Sequence, residues 1–322
     1  VAPLPEIDGA ACVHALSPRG SCRACVDACP LGAWLLDEEG LSLDTARCDG
    51  CALCVPACPR DAIALPRTIT ILHDAHGQGA AFAACERAGQ TTAPVMPCVH
   101  AIGHRDLDAL ADQDIARLTI LTGSCETCHR HHRVRLQTAV EAHRTVRASA
   151  GRPGVATKWC EPRDFLRAYG RALEDHDRVD RSRRRIFGSL LNSRHTPRPS
   201  QLPPLAYHVP SIDPVRCVAC DACVRICPDG ALMQDTDPPT YRIEPSACTG
   251  CRLCVDVCDQ SAMTVSQMGD AAKKTVALDL CRCRSCGAPY NAVAGKVSQG
   301  GDLCRICART PHHKKLFQVF KD

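Results

Sequence analysis

Eight cysteines near the C-terminal end of the chain fall into two runs of one spacing. Cys217, Cys220, Cys223 and Cys227, followed by Pro228, spell CxxCxxCxxxCP, and Cys248, Cys251, Cys254 and Cys258 repeat the spacing with Asp259 in place of the proline. Thiolates are soft ligands suited to iron. Three of them two residues apart lie in one tight loop whose backbone N–H groups can point at the sulfurs, and a fourth follows on the next turn. Disulfide frameworks have no need of this doubled spacing. The same grammar appears near the N-terminus. Cys48, Cys51, Cys54 and Cys58 before Pro59 form a complete motif, and Cys22, Cys25 and Cys29 before Pro30 form three quarters of one, with Arg19 where the first cysteine would stand. Cys12 precedes Cys22 by ten residues, and a loop over 13–21 can return it as the missing ligand. The alternative for that site is a 3Fe4S cluster on three cysteines. Cys29 to Cys227 is a shift of 198 and Cys58 to Cys258 a shift of 200, so the motif pair is repeated almost isometrically around a central insert.

Residues 10–66 and 208–268 therefore each resemble the bacterial 2x4Fe4S ferredoxin family, which implies two pseudo-symmetric ββα-type halves per module. In that family each half supplies three ligands to one cluster and the fourth to the other. The resemblance thus implies one 4Fe4S cluster on Cys217, Cys220, Cys223 and Cys258 and another on Cys248, Cys251, Cys254 and Cys227. Near the N-terminus it implies one on Cys48, Cys51, Cys54 and Cys29 and one on Cys22, Cys25, Cys58 and Cys12.

Between the modules, residues 67–175 alternate short aliphatic runs with helix-like stretches. Thr68–His73, Pro94–Pro97 and Leu118–Leu121 read as strands, and Ala80–Ala88, Leu107–Ala111, Arg133–Ala148 and Pro162–Leu173 as helices, which predicts a small parallel α/β sheet. Ligands of such sheets sit at the carboxyl ends of the strands. Cys98 follows the second predicted strand and Cys125 and Cys128 the third, while Cys85 on the first predicted helix can reach the same edge, so four thiols converge on one metal site. Ala84-Cys85, the run Pro94 to Cys98, the run Arg105 to Leu110, and Thr122 to Cys125 with Cys128-His129 make the segment similar to the delta subunit of methyl-viologen-reducing hydrogenases and its fused relatives in heterodisulfide reductase complexes. That resemblance implies a 2Fe2S cluster on Cys85, Cys98, Cys125 and Cys128, relaying electrons between a hydrogenase or formate dehydrogenase and a disulfide-reducing or bifurcating partner. Two features depart from the family: a single cysteine in the first element and a closely spaced CxxC in the last.

Other readings of the same residues are weaker. Cys125, Cys128 and His129 spell the CxxCH of c-type haem attachment, which needs an oxidising compartment, and no export signal is visible. Cys98-x-His100 resembles half of a Rieske site, whose other half should be CxxH, but position 128 is Cys. Zinc on Cys125 and Cys128 with His129, His131 and His132 competes with a solvated basic run. Gly77-Gln78-Gly79 lacks the third glycine of a dinucleotide loop, since Phe82 stands there.

Asp175–Pro210 is rich in Arg and Pro and reads as an extended connector, with residues 176–207 as the linker proper; its SRRRIFGSL run lacks the apolar stretch of a twin-arginine signal. In the tail, 275–322, Cys283-x-x-Cys286 and Cys304-x-x-Cys307 stand seventeen residues apart, the spacing of a zinc ribbon. Cys160 and Cys281 are left as thiols, although Cys281 can stand in for Cys283.

Composition agrees with a chain organised by metals. The 26 cysteines in 322 residues are several-fold above ordinary usage, and only 3% of residues are Phe, Trp or Tyr, which excludes one large aromatic core. A net charge of +4 is too mild to imply nucleic acid, and no apolar run is long enough for a membrane span. The expectation is an α+β multidomain chain: two dicluster ferredoxin-like modules, a central parallel α/β domain and a zinc-ribbon-like tail. Four cubanes with a fifth cluster between them read as a wire, so the expected role is a cytoplasmic electron-transfer subunit of a larger oxidoreductase, a molybdopterin formate dehydrogenase, a hydrogenase or a heterodisulfide-reductase-like complex. The competing roles are a disulfide reductase working at Cys125 and Cys128, and a maturation protein for an Fe–S or molybdopterin enzyme.

Overall fold

The computed structural model describes residues 3–38, 40–89, 94–130, 135–186, 205–268, 271–296 and 303–309. Contacts divide the chain into two units, one of Val1–Ala15 with Arg23–Leu205, the other of Leu16–Cys22 with Ala206–Asp322.

Within the first unit, the N-terminal cysteine motifs lie in a small module whose ends are paired. Glu6–Ile7 runs antiparallel to Ile63–Ala64, the hairpin Trp34–Asp37 with Gly40–Leu43 sits between, and the short helices Ala24–Ala28 and Cys54–Ala57 each carry a motif cysteine. The second unit repeats the plan. His208–Ile212 pairs antiparallel with Met263–Gln267, Leu232–Thr236 forms a hairpin with Pro239–Ile243, and Ala222–Ile226 and Leu253–Asp256 are the helices. There the hairpin is widened by Lys274–Arg282, which pairs with Pro239–Ile243 and then with Pro289–Val293, so the tail is built onto the sheet.

The rest of the first unit is a five-stranded sheet. Its order is Thr70–His73, Gly79–Cys85, Arg117–Leu121, Ala156–Trp159, with Val95–Met96 added beside Gly79–Cys85. All neighbours are parallel except the antiparallel edge strand Thr70–His73. His104–Ala111 and Arg135–Ser149 pack on one face with Ala81, Ala83, Leu118 and Ile120, and Pro162–Ile186 covers the other. On that second face the Phe82 ring meets Phe165 and Tyr169 edge-on, with centroids 6.0 and 5.3 Å apart.

Two expectations change. The stretch Ala80–Ala88, read as a helix, is a strand through Cys85 followed by one 3-10 turn over Glu86–Ala88. Its alanines suit a helix by intrinsic propensity. Its contacts alternate, however, with Ala81, Ala83 and Cys85 in one core and Phe82 and Ala84 in the other, the period of a strand buried on both sides. The connector read from Asp175 is helical as far as Ile186, because its prolines begin only at Pro197 and pairs such as Asp175–Arg178 (3.6 Å) stand one turn apart. Residues 187–204 lie outside the described residues. The strand Ala156–Trp159 was not expected. Gly77-Gln78-Gly79 closes the hairpin between the first two strands, where the Asp74 carboxylate accepts the His76 and Gln78 N–H groups. Among the described residues no helix is long and apolar enough to cross a membrane.

Candidate metal centres

Cys217, Cys220, Cys223 and Cys258 line one cavity of about 390 Å³. Cys227, Cys248, Cys251 and Cys254 line a second, much tighter space, and Cys29, Cys48, Cys51 and Cys54 a third. Each set joins three cysteines of one half to the last cysteine of the other. The chain achieves this with a recurrent loop conformation. Ala52, Ala219 and Arg252 adopt left-handed φ of 63°, 50° and 62°, as does Asp221 at 62°, and Gly50 and Gly250 supply the same sense just before Cys51 and Cys251. Those reversals turn successive sulfurs inward. After the last cysteine of a half, the backbone N–H four residues on donates to its sulfur, from Ala33 to Cys29 (3.3 Å), Ala62 to Cys58 (3.3 Å) and Ala262 to Cys258 (3.2 Å).

Burial raises the thiols of these sets. It pushes Cys51, Cys223 and Cys254 up to about 12 and Cys54 and Cys248 up to about 11, with neighbouring cysteines of the same set adding to the rise except at Cys51, where the Asp49 carboxylate does. Four thiolates this close in an apolar pocket repel unless a cation sits between them, so the donor set fits an iron–sulfur cube and does not suit free thiolates.

The Cys22 quarter differs. Arg23 has φ of −125°, so the reversal seen before the third cysteine of the other loops is absent. Arg19, in the place of the missing cysteine, pairs with Asp259, the residue that replaces the motif proline, at 2.9 Å. Ser21 donates from its N–H and hydroxyl to Asp256 at 2.9 and 2.7 Å. Cys25 packs with Trp34, Cys54 and Ile63, with Cys58 against them, and Cys12 caps the 3-10 turn Gly9–Ala11.

In the central domain Cys85 ends its strand and shares a buried core with Cys98, which follows Val95–Met96; the Cys85 sulfur lies 3.8 Å from the Pro97 carbonyl. The neighbouring Cys98 and the N–H groups of Arg87 and Val99 hold the Cys85 thiol down against the effect of burial. Cys98 is raised by Cys85 and by its own burial. Cys125 instead meets His100, with Sγ 3.6 Å from Nε2. His100 is 6% exposed, and the Trp159 ring lies 6.4 Å from it. The Cys128 sulfur has no hydrogen-bond partner among the described residues, and its backbone N–H caps the turn from Cys125. His129 bonds to Asp49 at 2.9 Å, while His131 and His132 lie outside the described residues.

One residue that sequence reasoning missed ties this site to the first module. Arg130, 5% exposed, reaches Asp49 in the Cys48–Cys51 loop (2.5 Å), Glu86 beside Cys85 (2.6 Å) and the Pro97 carbonyl beside Cys98 (2.7 Å). Burial opposes a charge on Asp49, but the Arg130 and His129 bonds more than offset it and hold its carboxyl below the usual value. Arg105 pairs with Asp61 and Arg67 with Asp106 across the same junction, and Cys51, Cys85 and Cys98 share one buried core. Nothing in the spacing of Arg130 marks it out; it stands in a basic run that reads as solvated surface.

In the tail, Cys283, Cys286, Cys304 and Cys307 place their sulfurs within 4.8 Å of one another, with Cys286 and Cys304 3.9 Å apart. The N–H of Gly287 closes on the Cys283 carbonyl and that of Cys304 on the Cys283 sulfur, and backbone donors of this kind hold the Cys283 thiol down to about 6. Tetrahedral zinc with Zn–S near 2.3 Å needs sulfurs about 3.8 Å apart, a spacing that the Cys286–Cys304 pair matches. Cys281 stands outside the group, with its sulfur against the Asp279 carbonyl.

Comparison with known proteins follows the same lines. A family model described as a 4Fe-4S dicluster domain matches residues 216–262, and another of the same description matches residues 20–63. The chain carries two 4Fe-4S dicluster domains. No curated protein matches it. The first dicluster domain and the central sheet belong to one unit of the chain, and the second dicluster domain carries the tail. Iron–sulfur electron transfer is the role that the two dicluster domains support.

Proposed function

We propose that this chain is the electron-transfer subunit of a larger cytoplasmic oxidoreductase, carrying electrons between that enzyme and its acceptor through both dicluster domains and the central domain. The observation that carries the reading is the shared core of Cys51, Cys85 and Cys98, which puts a cluster loop of the first dicluster domain beside the central cysteines. When bound, the iron–sulfur clusters supply one-electron transfer. The chain's own residues do the rest. The crossed cysteine sets hold four cubanes, including one on Cys12, Cys22, Cys25 and Cys58; backbone N–H groups aimed at the sulfurs stabilise their charge; and apolar neighbours such as Trp34 and Leu53 exclude water.

Cys85, Cys98, Cys125 and Cys128 are the candidate ligands of a 2Fe2S cluster in a domain like the hydrogenase delta subunit, and that likeness suggests a formate dehydrogenase, hydrogenase or heterodisulfide-reductase-like partner. Dense thiolate ligation favours a reducing compartment, hence the cytoplasm. Anaerobically purified chain is expected to hold about 18 iron atoms, from four cubanes and one rhombic cluster. Added back to a partner enzyme stripped of it, the chain is expected to restore electron flux to the acceptor. A flux unaffected by its removal contradicts the proposal.

The tail set binds one zinc ion and has a structural role, since Cys283, Cys304 and Cys307 themselves make up the buried core there, with Tyr290 and Leu303 packed against them. Cys304→Ser is expected to lower zinc from about one per chain to near zero while iron stays unchanged. Equal loss of iron would assign the tail to a cluster.

A further inference from the structure

The central site has two pairs of ligand atoms. Cys85 and Cys98 lie in one buried core, with the Cys85 sulfur 3.8 Å from the Pro97 carbonyl directly before Cys98, and Cys125 Sγ is 3.6 Å from His100 Nε2. Among the described residues, the tail is the only place where three or more ligand atoms lie mutually within 4.8 Å, so the central pairs do not close into one tetrahedron. A single zinc ion needs all four donors about 3.8 Å apart or less. Two adjacent irons instead take two donors each. The pairs are linked through one short 3-10 turn, Val99–Ala101, which starts directly after Cys98 and carries His100, so the backbone sets their separation.

We infer that His100, and not Cys128, completes the central metal site: Cys85 with Cys98 holds one iron of a two-iron cluster, and Cys125 with His100 holds the other. The inference rests on the 2Fe2S reading proposed above. Two observations favour the histidine. His100 is 6% exposed and its Nε2 is already at the Cys125 sulfur, whereas the Cys128 sulfur has no hydrogen-bond partner among the described residues. The turn Cys125–Thr127 carries Cys125 inward and ends at Cys128, whose N–H is committed to the Cys125 carbonyl. The neutral imidazole supplies one negative charge fewer than a thiolate. Replacing thiolate by imidazole at a two-iron cluster raises its reduction potential.

The test is electron paramagnetic resonance of the full reduced chain, read at temperatures where the fast-relaxing cubane signals broaden away, with iron counted in parallel. The reduced wild-type chain is expected to show a rhombic signal with hyperfine coupling to a histidine nitrogen, which changes on ¹⁵N-histidine labelling. Cys128→Ser is expected to keep both the signal and the iron. His100→Gln is expected to abolish the nitrogen coupling, and His100→Cys to keep a two-iron signal without it at a lower potential. A wild-type rhombic signal without nitrogen coupling, or loss of about two iron atoms in Cys128→Ser, overturns the ligand assignment while the two-iron reading stands. Absence of any two-iron signal from fully loaded wild-type chain overturns both.

Discussion

Cys227→Ser is expected to empty the site of Cys248, Cys251 and Cys254 and to leave the iron at Cys217, Cys220, Cys223 and Cys258 in place. Cys227 lies with the second trio around its tight cavity, although the chain delivers it directly after the first. Burial raises both thiols most; after it Cys254 is raised by Cys248, Cys251 and Cys227, with a lesser push from Cys223, and Cys223 by Cys217, Cys220 and Cys258. About four iron atoms per chain should be lost. Mass spectrometry after alkylation of the folded protein locates the loss: Cys248, Cys251 and Cys254 become reactive, while Cys217, Cys220 and Cys223 stay protected. Cys258→Ser gives the mirror pattern. If instead Cys217, Cys220 and Cys223 react in the Cys227 variant, the clusters are held within halves and the crossed assignment is wrong.

The second large effect belongs to Arg130→Met. The side chain is 5% exposed and answers Asp49, Glu86 and the Pro97 carbonyl together, so its removal leaves two carboxylates and a carbonyl without their cation. Breaking a buried ion pair from one side costs about 3–5 kcal/mol, and the partial exposure of Asp49 and Glu86 places this case near 3. For a unit of this size that lowers the melting transition by roughly 6–12 °C at a fixed scan rate. Arg130→Met with Asp49→Asn should recover part of the loss, because the orphaned charge goes with its partner. Iron in the second dicluster domain should not change. A transition within a degree or two of wild type would show that the Arg130 contacts do not hold the cluster loop to the central sheet.

Each arginine contact reaches a residue adjacent to a sulfur-bearing position, so the variant also tests the junction as an electron path. Asp49 neighbours Cys48, Glu86 follows Cys85, and Pro97 precedes Cys98. A loosened junction slows transfer between the two sites even where both keep their iron, which separates positioning from ligation.

The cysteine motifs were legible because their meaning is local. Three sulfurs within seven residues can close on one cube whatever the rest of the chain does, and the tail knuckles likewise need only their own turns. The sequence by itself therefore determined the two dicluster domains and the mixed strand-and-helix character of the segment between them. What it misjudged depends on burial from both sides. Ala80–Ala88 has the composition of a helix, and only the two cores that receive Ala81, Ala83 and Cys85 on one face and Phe82 and Ala84 on the other make it a strand. That change carries Cys85 to the carboxyl end of the sheet, directly beside Cys98. The choice of His100 over Cys128 as the neighbour of Cys125, and the burial of Arg130 between three distant segments, likewise belong to the tertiary structure alone. They are contacts between residues tens of positions apart, set by how the sheet, the 3-10 turn and the first dicluster domain pack, and no spacing along the chain encodes them.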